Sequence, residues 1–177
     1  MEISAKEIQV GEECLVRFRA AAPQDELFLI GVYGSTRAEE LALTGWDDTQ
    51  RAAFLKMQFD AQQTHYQKYY PSGEHLIIEV NHHPCGRLYV ANIETEIRIL
   101  DITILPESRN RGIGTTIVKE LIAEAAANSK PLTIFVESFN PSRRLFERLG
   151  FEPSGEHGAS ILFRWSGEGP TESRSAV

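Results

Sequence analysis

The sequence is poor in cysteine and in basic charge, and it has no long apolar run. Cys14 and Cys85 are its two cysteines and lack metal-ligand spacing, so we expect reduced packing residues. The net charge of −7 argues against nucleic-acid binding, which needs a concentrated basic face. No stretch approaches the roughly 20 apolar residues of a membrane helix, and the N-terminal MEISAKEIQV lacks an apolar signal core. These absences predict a cytoplasmic protein that binds neither nucleic acid nor membrane.

What the sequence does contain is typical of one globular domain. It has 177 residues, of which 42% are hydrophobic and 24% are charged. We assign residues 1–165 to a single domain. Residues 166–177, SGEGPTESRSAV, are polar and rich in glycine and serine, and we predict a disordered tail there.

Hydrophobic periodicity predicts strand, two helices, three antiparallel strands, helix, strand, helix and strand, in that order. The predicted strands are 14–19, 76–80, 86–93, 96–105, 132–136 and 161–165, and the predicted helices are 25–33, about 47–70, 112–127 and 140–149. Asp47 is the expected N-cap of the second helix, with Gln50 completing a capping box. A turn over 81–84 is expected to join the second and third strands. The order indicates an α+β fold with helices against a mostly antiparallel sheet.

The residues best suited to binding a ligand lie where the strand at 96–105 passes through a turn directly into a helix. The turn reads Arg109-Asn110-Arg111-Gly112-Ile113-Gly114. The first N–H groups of a helix have no intrahelical partner and lie at its positive end, so they favour an anionic phosphate. The glycines allow a pyrophosphate to approach the backbone, and the arginines and the hydroxyls of Thr115 and Thr116 add positive charge and donors.

Three phosphate-binding patterns compete for this turn. A Walker loop needs a lysine that is missing here. A Rossmann turn needs Gly-x-Gly-x-x-Gly in a parallel unit, whereas Gly112-Ile113-Gly114 is followed by Ile117 and the preceding strands are predicted to be antiparallel. Arg-x-x-Gly-x-Gly fits without adjustment, although the hexapeptide alone also fits an ordinary helix start.

Two linked segments resemble the GNAT (general-control-related N-acetyltransferase) superfamily. One is the turn 109–114 after the strand ending in Leu105-Pro106. The other is the later segment 140–151, Asn-Pro-Ser-Arg-Arg-Leu-Phe-Glu-Arg-Leu-Gly-Phe. The resemblance is firm over 75–163 and looser over 15–70. It implies a GNAT-like fold, with a mostly antiparallel mixed sheet of six to seven strands, splayed between its fourth and fifth strands and flanked by about four helices.

The resemblance also implies a reaction and its partners. It implies an N-acetyltransferase that uses acetyl-CoA as cosubstrate, needs no metal, and acetylates an amine-bearing small molecule or peptide by direct attack in a ternary complex. The acyl-pantetheine arm is expected between the strands at 101–105 and 132–136, where one backbone N–H polarises the thioester carbonyl. The cofactor-binding residues implied are Ile102, Thr103, Ile104, Arg109, Asn110, Arg111, Gly112, Ile113, Gly114, Thr115, Asn140, Arg143 and Phe146. Monomer and homodimer both stay open.

The reaction needs a proton acceptor for the amine, and three carboxylates are candidates. They are Glu96, Asp101 and Glu137, each near a strand edge of the expected cleft, although each also fits a structural or solvated carboxylate. Asp101 stands out because a carboxylate within an apolar strand is costly unless it is paired or functional. On the second predicted helix, Gln58, Gln62 and Gln63 are expected to border the acceptor side. Arg143 and Arg144 fit either surface ion pairs or contacts to the adenosine phosphate.

The sequence departs from the family at Phe146, where the family often has a tyrosine that acts as general acid. A phenyl ring cannot donate a proton. The thiolate can leave unprotonated, because a thiol has a pKa of about 8.5, or Tyr89, Ser142 or a water can serve instead. The departure also supports an alternative function, an acyl-CoA-binding or degenerate GNAT module that acts as sensor or scaffold without turnover.

Overall fold

Eight strands and five helices make up the part of the chain that the structure, a computed structural model, describes, namely residues 6–11 and 14–167. The strands are β1 (Glu7–Val10), β2 (Cys14–Ala20), β3 (Glu74–Val80), β4 (His83–Asn92), β5 (Ile97–Ile104), β6 (Leu132–Glu137), β7 (Glu152–His157) and β8 (Ser160–Trp165). The helices are α1 (Glu26–Ser35), α2 (Ala38–Ala42), α3 (Asp48–Tyr69), α4 (Ile113–Ala127) and α5 (Arg143–Arg148). Of the predicted disordered tail, residues 168–177 lie outside the described residues.

All eight strands form one sheet in the order β1-β2-β3-β4-β5-β6-β8-β7. Every neighbouring pair is antiparallel except β5 and β6. Those two parallel strands pair only from Ile97 to Ile99 with Leu132 to Ile134, and beyond that point they diverge. The predicted α+β fold and its splay between these same two segments are confirmed. The sheet has eight strands rather than six to seven, and five helices rather than about four flank it.

Three short elements were not predicted, because each carries little apolar pattern. Strand β1 has one buried residue among four, and β7 (EPSGEH) is exposed along its whole length. Both are edge strands, held by backbone pairing to a single neighbour. Helix α2 (AEELA) is one turn long and buries only Leu41. Periodicity cannot signal an element that buries so little.

Two local predictions, a helix cap and a hairpin turn, had different outcomes. The capping box of α3 is confirmed, since Gln50 N donates to Asp47 Oδ1 at 2.8 Å and Asp47 N donates to Gln50 Oε1 at 3.0 Å. The expected four-residue turn at 81–84 is instead a two-residue turn. Asn81 and His82 both have positive φ, as a type I′ hairpin requires, and β4 already begins at His83.

The sheet buries a large apolar core on one face and a smaller one on the other. Helix α4 covers the first face with five fully buried residues: Ile113, Ile117, Val118, Leu121 and Ala125. Helices α1 and α3 cover the other face, where Leu29, Tyr33 and Phe59 pack with Ile77. Each fully buried aliphatic side chain contributes about 1.5–3 kcal/mol relative to exposure, so the larger core on the α4 side dominates the stability.

A β-bulge in β5 changes which face its residues occupy. Tyr89 pairs with Asp101 and Val90 pairs with Ile99, so Leu100 has no direct partner in β4. Ile99 lies in the α4 core, and after the extra residue it is Ile102, not Asp101, that packs against the same core. Asp101 therefore points to the side of the sheet that α1 and α3 cover.

Candidate active site

A cleft of about 1120 Å³ opens where β5 and β6 diverge. It is bordered by the divergent strand ends, by the loop and first turn of α4, by the segment that precedes α5 and by α1, α2 and α3. The lining residues are 33, 35–40, 62, 66, 100–104, 108–110, 112–115, 134–137, 139–142, 145, 146, 148 and 160. Because β5 and β6 no longer pair here, the facing backbone groups of residues 100–104 and 135–137 can hydrogen-bond a ligand.

The start of α4 presents free amide hydrogens to this cleft. Gly112 is the N-cap and has a left-handed φ of 81°, and Asn110 before it has a φ of 60°. The first hydrogen bond of the helix runs from Thr116 N to the carbonyl of Gly112 at 3.0 Å. The N–H groups of Ile113, Gly114 and Thr115 thus precede the helical ladder, and these three residues line the cleft. The arrangement can bind an anion.

The two arginines of the loop go to different places. Arg109 lines the cleft, and its Nε donates to the carbonyl of Ile104 at 2.8 Å, which joins the loop to the end of β5. Arg111 does not line the cleft. Its Nη2 lies 2.9 Å from Sγ of buried Cys14, on the neighbouring part of the sheet. The sequence assigned both arginines to the cofactor; the structure brings Arg109 to the cleft and directs Arg111 towards β2.

The second resembling segment, 140–151, forms the opposite wall of the cleft. Helix α5 begins at Arg143 rather than at the predicted residue 140, and Asn140 Oδ1 accepts from the backbone N–H of Ser142 at 2.9 Å. Asn140, Ser142 and Phe146 line the cleft. Phe146 is 1% exposed and meets the ring of Phe151 edge-on at 5.3 Å.

Arg143 is not among the residues that line the cleft, but it lines a smaller adjoining pocket with Asn140 and Pro141, so its contact with the cofactor stays a prediction. Its Nη1 donates to the carbonyl of Ser138 at 2.7 Å, its guanidinium lies over the ring of Phe163, and Glu147 is 3.5 Å away. These contacts tie α5 to the sheet. Arg148, one turn further along α5, does line the cleft, although the sequence gave no reason to single it out.

The three candidate carboxylates occupy three different environments. Glu96 lies before β5, at the end where β5 and β6 still pair, and it is ion-paired with Arg98 outside the cleft lining. We therefore withdraw Glu96 as a candidate proton acceptor. Glu137 ends β6 in the cleft, 3.5 Å from Arg37. Asp101 also lines the cleft, and its side chain is 16% exposed.

Asp101 belongs to a buried polar cluster that the sequence did not predict. Arg87 of β4 donates from Nε to Asp101 Oδ1 at 3.1 Å and from Nη2 to Asp101 Oδ2 at 2.7 Å. The same Nη2 donates to Gln62 Oε1 at 2.7 Å, and the hydroxyl of Thr103 donates to Asp101 Oδ1 at 2.8 Å. The only sequence signal for Arg87 is a single basic residue in an otherwise apolar strand.

Two tyrosines border this cluster, and a third does not reach the cleft. Tyr66 donates its hydroxyl to the carbonyl of Leu100 at 3.0 Å, and burial, together with the charge of Asp101, raises the pKa of Tyr66 above its usual value. Tyr33 lies beside it in the lining. Tyr89, which we considered as a proton donor, is stacked on His75 with ring centroids 4.7 Å apart and does not line the cleft.

The described part of the chain contains neither a metal-binding group nor a membrane-spanning helix. Between residues 6 and 167, apart from 12 and 13, no three His, Cys, Asp or Glu side chains are grouped so that they could hold a metal ion. Over the same residues, no helix combines the length and apolarity needed to cross a membrane.

The splayed sheet and the helix start at its cleft define an acetyltransferase fold. PaiA N-acetyltransferase from Thermoplasma acidophilum, solved in complex with coenzyme A, superposes with a TM-score of 0.64 at 14% identity, over 85% of this chain and 98% of that chain. RimL, a ribosomal L7/L12 alpha-N-protein acetyltransferase, also solved in complex with coenzyme A, superposes with a TM-score of 0.60 at 16% identity, over 91% of this chain and 98% of that chain.

Sequence comparison narrows this class to a family. A model of the acetyltransferase (GNAT) family matches residues 41–151. A protein of Bacillus subtilis (strain 168), provisionally named ribosomal protein bS18-alanine N-acetyltransferase, is 27% identical over 105 residues, which is 54% of this chain and 69% of that protein. The chain belongs to the GNAT acetyltransferase family.

Proposed function

We propose that this protein is an N-acetyltransferase that transfers an acetyl group from acetyl-CoA to a primary amine. The observation that carries the proposal is the cleft between β5 and β6, which ends at the free amides of residues 113–115. A pyrophosphate would lie at this helix start, beside Arg109. The pantetheine arm would then extend along residues 102–104, on the edge of β5 that faces β6 and is not paired with it. The coenzyme A complexes of the structural neighbours support this assignment.

The reaction requires that the amine and the thioester meet in this cleft. The lone pair of a neutral amine attacks the thioester carbonyl carbon, a C–N bond forms, the C–S bond breaks, and the amine gives up one proton. Negative charge develops on the carbonyl oxygen, and a well-placed backbone N–H stabilises it by about 3–4 kcal/mol. The unpaired edge of β5, residues 100–104, offers such N–H groups.

Few groups in the cleft can accept the proton of the amine or donate a proton to the departing thiolate. Glu137 and Asp101 are the candidate acceptors for the amine proton, and Glu137 is the more open of the two, with a 36% exposed side chain. Phe146 offers no donor to the departing thiolate. Ser142 lines the cleft and carries a hydroxyl. A thiol with a pKa of about 8.5 is also a tolerable leaving group without protonation.

The acceptor is proposed to be a small-molecule amine or a peptide amine. The side of the cleft away from the α4 loop is lined by Arg37, Glu39, Glu40 and Glu137. Carboxylates in such a mouth favour an amine that arrives as a cation, and such an amine gives one proton to a carboxylate or to water before it attacks. The B. subtilis relative and RimL are both named for acetylation of ribosomal proteins, which supports testing peptide N-termini beside small amines.

A second candidate, a module that binds acyl-CoA without turnover, is supported by one observation. Phe146 occupies the position of the family's usual tyrosine, and its ring, which packs against Phe151, carries no hydroxyl. Such a module would bind acyl-CoA at the cofactor end of the cleft but would not catalyse acetyl transfer.

Two measurements separate these functions. Acetyl-CoA at 100 times its dissociation constant should stabilise the protein by about 2.7 kcal/mol, visible as a rise in Tm. Release of free thiol from acetyl-CoA should then accelerate in the presence of amines, amino acids, polyamines or peptides. Stabilisation without amine-dependent thiol release would favour the binding module, and absence of both would contradict either function.

A further inference from the structure

Arg87 is the largest side chain that the described structure buries completely. It is 1% exposed, and its guanidinium lies near the rings of Tyr33 and Phe59, 5.7 and 5.8 Å from their centroids. A buried guanidinium stays charged, so it is costly unless a counter-charge and hydrogen-bond acceptors meet it. Asp101 supplies the charge, and Gln62 supplies a further acceptor.

The contacts of Asp101 leave one of its oxygens partly free. Oδ1 accepts from Arg87 Nε and from the hydroxyl of Thr103, whereas Oδ2 accepts from Arg87 Nη2 alone among the described residues. A carboxylate offers about four lone-pair positions. Asp101 lines the cleft and its side chain is 16% exposed, so we infer that a donor entering the cleft meets the remaining position on Oδ2.

Arg87 is the cation in direct contact with this carboxylate. The other groups that face it are Tyr33 on α1, Tyr66 on α3 and His75 on β3, with Asp25 beyond His75. Burial, aided by the charge of Arg87, lowers the pKa of His75 to about 4, so this imidazole is neutral at pH 7. Arg87 is thus the cation that balances Asp101. If Asp101 took up a proton, a buried arginine would lose its counter-charge.

We propose that Arg87 is a positioning residue that holds Asp101 as a fixed carboxylate, and that Asp101 orients the acceptor amine through Oδ2 without taking its proton. The inference rests on the proposed function and names the group that recognises the acceptor. As the nitrogen attacks, it gains positive charge, and an adjacent fixed carboxylate stabilises that charge. The proton then leaves to Glu137 or to water, and the C–S bond breaks.

The test compares steady-state kinetics of the full chain and its variants with acetyl-CoA and an amine that the wild type acetylates. Asp101→Asn should lower kcat/KM for the amine about 100-fold while the KM for acetyl-CoA stays unchanged. The acidic limb of the kcat/KM pH profile should persist in this variant. Arg87→Met should cause a similar loss, and Arg87→Met with Asp101→Asn should be no worse than either alone, because both act through one charge.

A matched control lies outside the cleft lining. Arg19 forms a comparable two-point pair with Asp25, at 2.7 and 2.8 Å. Arg19→Met and Asp25→Asn should leave kcat/KM within about threefold of the wild type, since their effects are confined to stability. If Arg87→Met does not fold, Arg87→Lys takes its place. A lysine keeps the charge but not the two-point contact, and a loss of about tenfold is expected.

Three outcomes would overturn the proposal. Loss of the acidic limb in Asp101→Asn would make Asp101 the proton acceptor. Activity of Asp101→Asn close to the wild type would remove it from acceptor recognition. Losses from Arg87→Met and Asp101→Asn that multiply in the double variant would show that Arg87 acts independently of Asp101. A wild type that releases no thiol with any amine contradicts the proposed function itself, and this result is seen before any variant is compared.

Discussion

The two ends of the cleft present different chemical groups, backbone amides at one end and side chains at the other. The cofactor end is mainly backbone: consecutive amides at the start of α4, with Gly112 in a left-handed conformation. The proposed acceptor end is mainly side chains from segments far apart in the chain, such as Arg37 before α2, Gln62 on α3 and Glu137 at the end of β6. Backbone amides bind a phosphate whatever the neighbouring side chains are, whereas the acceptor end can change its preference by single substitutions.

The largest expected effect tests whether the cofactor end depends on backbone geometry. Gly112→Val places a β-branched side chain at a φ of 81°, which such residues strongly disfavour. We expect affinity for acetyl-CoA, measured by calorimetry, to fall by about 100-fold or more as the amides turn away. Gly158→Ala is the matched control, because Gly158 also has a positive φ (59°) but lies in the exposed turn between β7 and β8. Unchanged affinity in Gly112→Val would remove the basis of the proposed function.

The second prediction concerns the acid stability of the acceptor end. Burial, aided by Arg87, lowers the pKa of His75 to about 4 from its ordinary 6.5. The unfolded chain therefore takes up this proton first, so His75 costs no stability above about pH 6.5 and destabilises the fold as the pH falls towards 4. We expect a loss of about 2–3 kcal/mol over that range. Urea unfolding of His75→Gln should show a shallower decline, and parallel curves for both proteins would contradict the prediction.

The third prediction places a hydroxyl where the family usually has one. Phe146→Tyr should leave turnover within about threefold, because proton donation is assigned elsewhere. It should also lower stability by about 1–3 kcal/mol if the new hydroxyl finds no partner in this buried position. Turnover and urea unfolding measure the two effects separately. A rise in turnover of about a hundredfold, with unchanged acetyl-CoA binding, would instead mean that the native cleft lacks its acid.

The smallest expected effect concerns the part of the cleft lined by Arg37, Glu40 and Glu137. Arg37 lies 3.5 Å from Glu137 and 3.2 Å from Glu40, so it competes with a cationic amine for these carboxylates. Arg37→Ala should lower KM for such an amine about two- to fivefold, in keeping with the small energy of partly exposed ion pairs. The KM for acetyl-CoA should not change. A higher KM for the amine would mean that Arg37 contacts the acceptor directly.

The cofactor end could be predicted from the sequence because the residues that form it are contiguous in the chain. The strand ending at Leu105, the turn 109–114 and the apolar stripe of α4 lie within thirty residues, and the structure keeps that order. Even there, the direction of Arg111 depends on Cys14 of β2, almost a hundred residues away. The acceptor end follows from contacts such as that of Arg87 with Gln62, which no local pattern encodes.

The extra residue in β5 lies where the cleft begins. Before Leu100, odd-numbered residues such as Ile99 enter the apolar core, and after it the even-numbered Ile102 does. Deleting Leu100 would let Asp101 follow Ile99 in regular alternation, so Ile102 would stay in the core and Asp101 would stay on the side of Arg87. What the deletion would remove is the bend that a bulge imposes on its strand. Because the pairing of β5 with β6 ends at Ile99, that bend coincides with the point where the two strands part.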